Sequence, residues 1–231
     1  MAKKMDPKAT MIEQRAARKL RSGVMTAREM LAGLEHGGRL IGLTGGHFSL
    51  LDLIEAVLHK TGPADVVIAT WTAGVRDTEM ARELGRFGLA RSMRLVVDQS
   101  FPGRQPKYVA AVLETFGPEA IRMTRIHAKF AMIRNDEWSI LIRTSMNLNR
   151  NHRVELFELD DDADLCDWWA GEIVEPLWAD LPAGFDVPGR RLQAHWQQQW
   201  KTDVNQADDV KTTSYDAGSS QSFIDLVLRS G

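Results

Sequence analysis

An imidazole and an ammonium stand two residues apart at His127 and Lys129, and a hydroxyl and an amide stand two apart at Ser145 and Asn147. The stretches that carry them, 126–133 and 140–147, are largely apolar and read as strands. Side chains alternate across a strand, so each pair projects from one face. The polar run Arg134-Asn135-Asp136-Glu137 between the two stretches reads as a turn, which makes the pair a hairpin. Such a hairpin gathers four polar side chains at one spot. Cationic and hydrogen-bonding groups converging in this way suit the oxygens of a phosphate.

The elements that must position these groups follow from periodicity. Residues 1–36 read as a basic, helical N-terminal extension, with a capping box at Thr26 and Glu29 ahead of Met30, Leu31 and Leu34. A short strand at 39–43 ends in Thr44-Gly45-Gly46-His47, and Ser49 caps a helix whose Leu50, Leu51, Ile54, Val57 and Leu58 share a face. The nearly continuous apolar run 64–70 predicts a strand buried on both sides. Asp77 is expected to cap a helix reaching about 87, followed by a strand at 93–98 and a helix at 107–116. The hairpin comes next, then a strand at 154–159. A helix opened by Asp162 carries an apolar stripe of Leu165, Trp168, Trp169, Ile173 and Leu177. This alternation predicts an α/β sandwich with a mixed, largely parallel sheet flanked by helices. It spans 37–186, and 187–231 forms a polar, partly helical tail. His47 and Trp71 follow the first two strands, at ends where α/β folds place ligands. Both are candidate pocket walls, with Trp71 able to stack on a base or ribose.

Bulk properties narrow the function classes. A chain of 231 residues with 44% hydrophobic and 26% charged residues can bury a full core. It holds no run of the roughly 20 apolar residues that a membrane helix needs, so no membrane insertion is expected. Cys166 is the sole cysteine, which excludes an internal disulfide and a cysteine-rich zinc site and points to a reducing cytoplasm. The formal charge of −2 hides an asymmetry. Residues 1–36 hold eight Lys/Arg against four Asp/Glu, whereas 155–186 holds eleven Asp/Glu and no Lys or Arg. A basic arm suits a polyanion, although it equally describes a solvated helix face. The acidic cluster Asp160-Asp161-Asp162 with Asp164 lacks the glycine and final glutamate of a calcium loop and reads as a solvated turn and helix cap.

His127-Ala128-Lys129, then Ser145-Met146-Asn147, then Glu155, resembles the phospholipase D superfamily, and the resemblance runs from about 39 to 178. It implies a phospholipase D-like domain that breaks phosphodiesters without metal or cofactor. His127 would attack phosphorus to form a phosphohistidine, and Lys129 and Asn147 would hold non-bridging oxygens. Ser145 would donate a further hydrogen bond, and Glu155 would accept from the second imidazole nitrogen. Two departures stand out. The family's aspartate falls on Arg134, so either Asp136 substitutes for it or Arg134 adds a phosphate contact in its place. The family's glycine before the serine is Thr144.

The family mechanism uses two His-x-Lys units and this chain has one, which implies a homodimer with one His127 from each protomer. The leading expectation is therefore a homodimeric, metal-independent phosphodiesterase acting on nucleic acid, DNA or RNA. The alternatives are a phospholipase or phosphatidyltransferase of the same superfamily, and a catalytically silent relative that binds nucleic acid or assembles with partners.

Overall fold

The computed structural model describes residues 18–22, 26–150 and 152–185. Eight strands form one sheet: β1 (Arg18–Ser22), β2 (Arg39–Thr44), β3 (Ala64–Thr70), β4 (Ala90–Asp98), β5 (Ile121–Thr124), β6 (Lys129–Arg134), β7 (Ser139–Thr144) and β8 (Glu155–Asp161). Their order is β1-β2-β8-β7-β6-β3-β4-β5. The pairs β1–β2, β3–β4 and β4–β5 are parallel, and the four pairings that link β2 through β8, β7 and β6 to β3 are antiparallel. The sheet is mixed, as expected. Its centre is antiparallel rather than largely parallel, because the β6–β7 hairpin and β8 insert between the two parallel flanks.

Helices cover both faces. One side carries α1 (Ala27–Met30), α2 (Leu50–Thr61), α3 (Val75–Arg86), the single turn α4 (Phe101–Arg104) and α5 (Pro106–Phe116). There Ala131 and Ile133 of β6, Ile140 and Ile142 of β7, and Phe157 and Leu159 of β8 pack into one core with Leu50, Leu51 and Ile54. The other side carries α6 (Ala163–Trp169), a π-helical turn (Ala170–Val174) and α7 (Glu175–Asp180). Phe130 and Met132 meet Cys166, Val174 and Leu177 there. Alternation along β6 thus sends neighbouring residues to different cores. Burial pushes the Cys166 thiol up to about 12, so it behaves as a small apolar core residue rather than a nucleophile.

Two helix starts follow directly from residue type. Thr26 with Glu29, and Ser49 with Asp52, form reciprocal capping boxes that satisfy amide donors a helix start leaves open. Asp162 accepts from the Leu165 amide and opens α6 as its position suggested. Asp77 does not cap α3: Gly74 holds that position, and the buried Asp77 carboxylate accepts from Ser49 Oγ at 2.7 Å. Burial raises its pKa, with the Ser49 hydrogen bond opposing the shift.

Several expectations need correction. The 1–36 segment is not simply a helical extension, because β1 pairs in parallel with β2 and α1 adds Ala27 and Met30 to the core. The strand β5 was not foreseen, since four residues leave little alternation to read. Trp168 departs from the apolar stripe and is 55% exposed. The acidic cluster supplies the expected helix cap at Asp162, but Asp160 and Asp161 belong to β8 rather than to a solvated turn. Asp160 pairs with Arg39 and with Arg143, and Asp161 accepts from the amides of Gly37 and Ser139. The tail at 187–231 lies outside the described residues. Among the described residues no helix is long and apolar enough to cross a membrane.

Candidate active site

The registers bring the candidate residues to one edge of the sheet. Lys129 opposes Thr144, Thr44 opposes Glu155, and Ala69 opposes Phe130. The C-terminal ends of β2, β3 and β7 therefore share that edge with the N-terminal ends of β6 and β8. Ser145, Asn147, Trp71 and His47 lie in the loops that leave it. Sheet edges of this type gather side chains from several strands without straining any of them.

His127 precedes β6 rather than lying within it, and its side chain is exposed. Lys129, the first residue of β6, is half-buried on the face that carries Ala131 and Ile133. Its Nζ lies 3.3 Å from both Nδ1 and Nε2 of His127 and donates to the His127 carbonyl oxygen at 2.9 Å. Being equidistant from the two ring nitrogens, the ammonium points along neither lone pair. The carbonyl bond fixes Lys129, and positive charge then sits beside the imidazole. Desolvation lowers the Lys129 pKa, and the nearby Glu155 carboxylate works against that shift.

Ser145 donates through Oγ to Glu155 Oε2 and accepts from the Leu156 amide at 3.0 Å. Both hydroxyl bonds tie the start of the β7–β8 loop to the start of β8. Thr144 reinforces the same join, donating to the Leu156 carbonyl at 2.7 Å and accepting from the Met146 amide at 3.0 Å. A threonine at that position is thus a brace. Asn147 turns its Oδ1 toward the Trp71 amide at 3.2 Å and Thr70 Oγ1 at 3.5 Å, locking its loop onto the end of β3. The Trp71 amide can only donate, so the oxygen must face it, and Nδ2 makes no hydrogen bond among the described residues.

Trp71 stands edge to face with His127, ring centroids 5.9 Å apart. The Arg104 guanidinium covers the same indole at 3.6 Å from its centroid. Trp71 therefore serves as a brace between a cation and the imidazole, and the surface Arg104 occupies is closed to a stacking base. Arg104 itself was not anticipated; its position in the short helical turn that follows β4, at this same edge, was the available signal. His47 joins the edge from β2, exposed, with its amide donating to Thr44 Oγ1 at 3.3 Å. The Gly46 carbonyl of the same loop accepts from Arg150 Nε at 3.2 Å.

Compared with protein-family models and with curated proteins, the chain matches none.

Arg134 is not a substrate-binding residue of this site. It ends β6, five residues beyond Lys129, which at about 3.3 Å per residue places it roughly 17 Å away. Its parity sends it to the opposite face, where Nη2 pairs with Asp167 of α6 at 2.7 Å. Asp136 lies in the turn beyond it, equally remote. The ion pair links the end of β6 to α6, and both Arg134 and Asp136 lie at the end of the hairpin away from His127. Glu158, three residues after Glu155 on β8, pairs instead with Arg39 and Arg143, each at 3.0 Å. The glutamate expected to orient His127 has Ser145 as its hydrogen-bonded partner at Oε2, and acts electrostatically on Lys129.

The Lys129 shift carries a prediction for any reaction that needs its charge. A lowered pKa means that the ammonium is lost at a lower pH than the usual lysine value near 10.4. The alkaline limb of the pH–rate profile should therefore fall below that value. Lys129→Arg should push the limb upward, because a guanidinium stays charged across the measurable range. A limb unmoved by this substitution would assign it to another group.

Proposed function

We propose that the chain is a metal-independent phosphodiesterase that cleaves nucleic acid through a phosphohistidine at His127, working as a homodimer. The observation that carries this reading is the contact of the His127 imidazole with the Lys129 ammonium, at an edge that also holds Ser145, Asn147 and Glu155. A phosphodiester is anionic and resists attack, so its oxygens need positive charge and hydrogen-bond donors before a nucleophile can approach. Lys129 supplies the charge, and the Nδ2 amide of Asn147 supplies donors. Glu155 holds the Ser145 hydroxyl and sets the field around Lys129.

An imidazole nitrogen of His127 donates its lone pair to phosphorus, the phosphorus–oxygen bond to one strand fragment breaks, and the leaving oxygen takes a proton from the partner's His127. The partner's imidazole, now neutral, removes a proton from water. The resulting hydroxide attacks phosphorus, the nitrogen–phosphorus bond breaks, and both histidines return to their starting states. A two-fold axis through the site would let one side chain type play both roles.

The test is cleavage of a labelled oligonucleotide in excess EDTA by the wild-type protein and by His127→Ala. The proposal requires cleavage that persists in EDTA and disappears in the variant. Cleavage that stops on chelation, or an active species that sediments as a monomer, would contradict it.

A further inference from the structure

Arg104 is an exposed arginine that the fold nevertheless holds in one place. Its Nε donates to Ser100 Oγ at 2.8 Å, its Nη2 donates to the Trp71 carbonyl at 2.7 Å, and its guanidinium lies on the Trp71 ring. Ser100 is itself tied down, its amide and hydroxyl both donating to Asp98 Oδ1. An arginine on a surface ordinarily loses rotamer freedom when it grips a ligand, and three existing contacts remove most of that loss beforehand. No carboxylate touches it directly among the described residues, and Asp98 reaches it only through the Ser100 hydroxyl. Arg39, Arg94, Arg134 and Arg143 each face an acid within salt-bridge distance, whereas Arg104 has none among the described residues, and its Nη1 makes no hydrogen bond there.

A preorganised guanidinium with no direct carboxylate partner and a free Nη1 suits a phosphate, since its planar fork matches phosphate oxygens. Its location says which phosphate. Trp71 contacts both Arg104 and His127, so the two lie no further apart than the 3.6 Å and 5.9 Å ring distances together. Phosphates recur along one strand of a duplex every 3.4 Å or so of rise. That axial rise is shorter than the through-space separation of successive phosphates, and the two ring distances set only a ceiling on the span from His127 to Arg104. A neighbouring phosphate of a strand seated at His127 falls within that ceiling.

We propose that Arg104, braced on Trp71, grips the phosphate next to the scissile one and so selects a polynucleotide over a substrate with a single phosphodiester. This rests on the phosphodiesterase reading above and adds a second anionic subsite to it. Trp71 then couples the two subsites, since a substrate that seats Arg104 also steadies the ring beside His127.

The experiment compares wild type, Arg104→Ala and Arg104→Lys on a single-stranded oligonucleotide and on bis(4-nitrophenyl) phosphate, which has one phosphodiester. In Arg104→Ala, kcat/KM for the oligonucleotide should drop about ten-fold or more, and its dependence on salt should weaken by about one released ion. Turnover of the small diester should fall several-fold less than that of the oligonucleotide, the smaller loss reporting the freed Trp71 ring beside His127, and Arg104→Lys should recover part of the oligonucleotide rate. Equal losses on both substrates would overturn the inference, because Arg104 would then act only by shaping the site. No loss on either would overturn it as well. Fluorescence anisotropy of the bound oligonucleotide reads the same contact without turnover. Wild-type protein that binds tighter than Arg104→Ala yet cleaves nothing would support the subsite and refute the nuclease reading. Equal affinities would refute the subsite.

Discussion

His127→Ala should lower turnover of a nucleic-acid substrate by roughly 10⁴-fold or more while leaving the fold intact. The side chain is exposed, precedes β6 and contributes no core contact, so the variant should melt within about 0.5 kcal/mol of wild type. Its removal takes away the nitrogen that bonds to phosphorus, and nothing else at the edge replaces it. Lys129 is held by a main-chain oxygen that alanine retains, and Ser145 and Asn147 are held by Leu156, Glu155 and β3. Substrate affinity should therefore change little, so that the loss falls on kcat rather than on KM. Turnover under EDTA, with a denaturant melt of the same sample, separates the two effects. A variant that retains most of its turnover would exclude His127 as nucleophile.

The largest loss of stability is expected at Phe157. Its ring is fully buried, faces Phe48 at 5.7 Å, and lies directly over its cross-strand partner Gly42. A Cβ at Gly42 would come within 2.2 Å of the ring. Phe157→Ala opens a cavity that glycine cannot fill, so the cost should approach the about 3–5 kcal/mol typical of such truncations. That is a large part of the roughly 5–15 kcal/mol that holds a domain folded. Gly42→Ala makes the opposite error, forcing a methyl against the ring at about 1–3 kcal/mol. The consequence reaches the candidate site, since Phe157 fixes β8 two residues after Glu155 and packs on the residue after His47. A urea midpoint that drops at unchanged slope would report the loss; an unchanged midpoint would contradict it.

Local signals were legible where a single residue type does a single job. Capping boxes at Thr26 and Ser49, the buried run of β3 and the β6–β7 hairpin all follow from spacing, whereas His127, Ser145 and Asn147 fall in the loops at the hairpin's open end rather than on its strands. Non-local pairing was not legible. Arg18–Ser22 is basic and short, and only the neighbouring β2 makes it a strand. Partners were hidden for the same reason. Arg134 looked like a member of the site because sequence spacing counts residues along the hairpin, whereas parity and strand length send it to Asp167 on the far face. Asp77 looked like a cap until Ser49 arrived from another helix, and Arg104 carried no motif at all until Trp71 lay beneath it.

The most direct test of the central claim is to trap the intermediate. An end-labelled oligonucleotide is mixed with the protein in EDTA and quenched in alkaline denaturant, in which a phosphohistidine survives. The products are then digested for mass spectrometry. A strand fragment attached through phosphorus to the peptide bearing His127, and absent from His127→Ala, is the predicted result. Cleavage with no covalent adduct, or an adduct on any other residue, would contradict it.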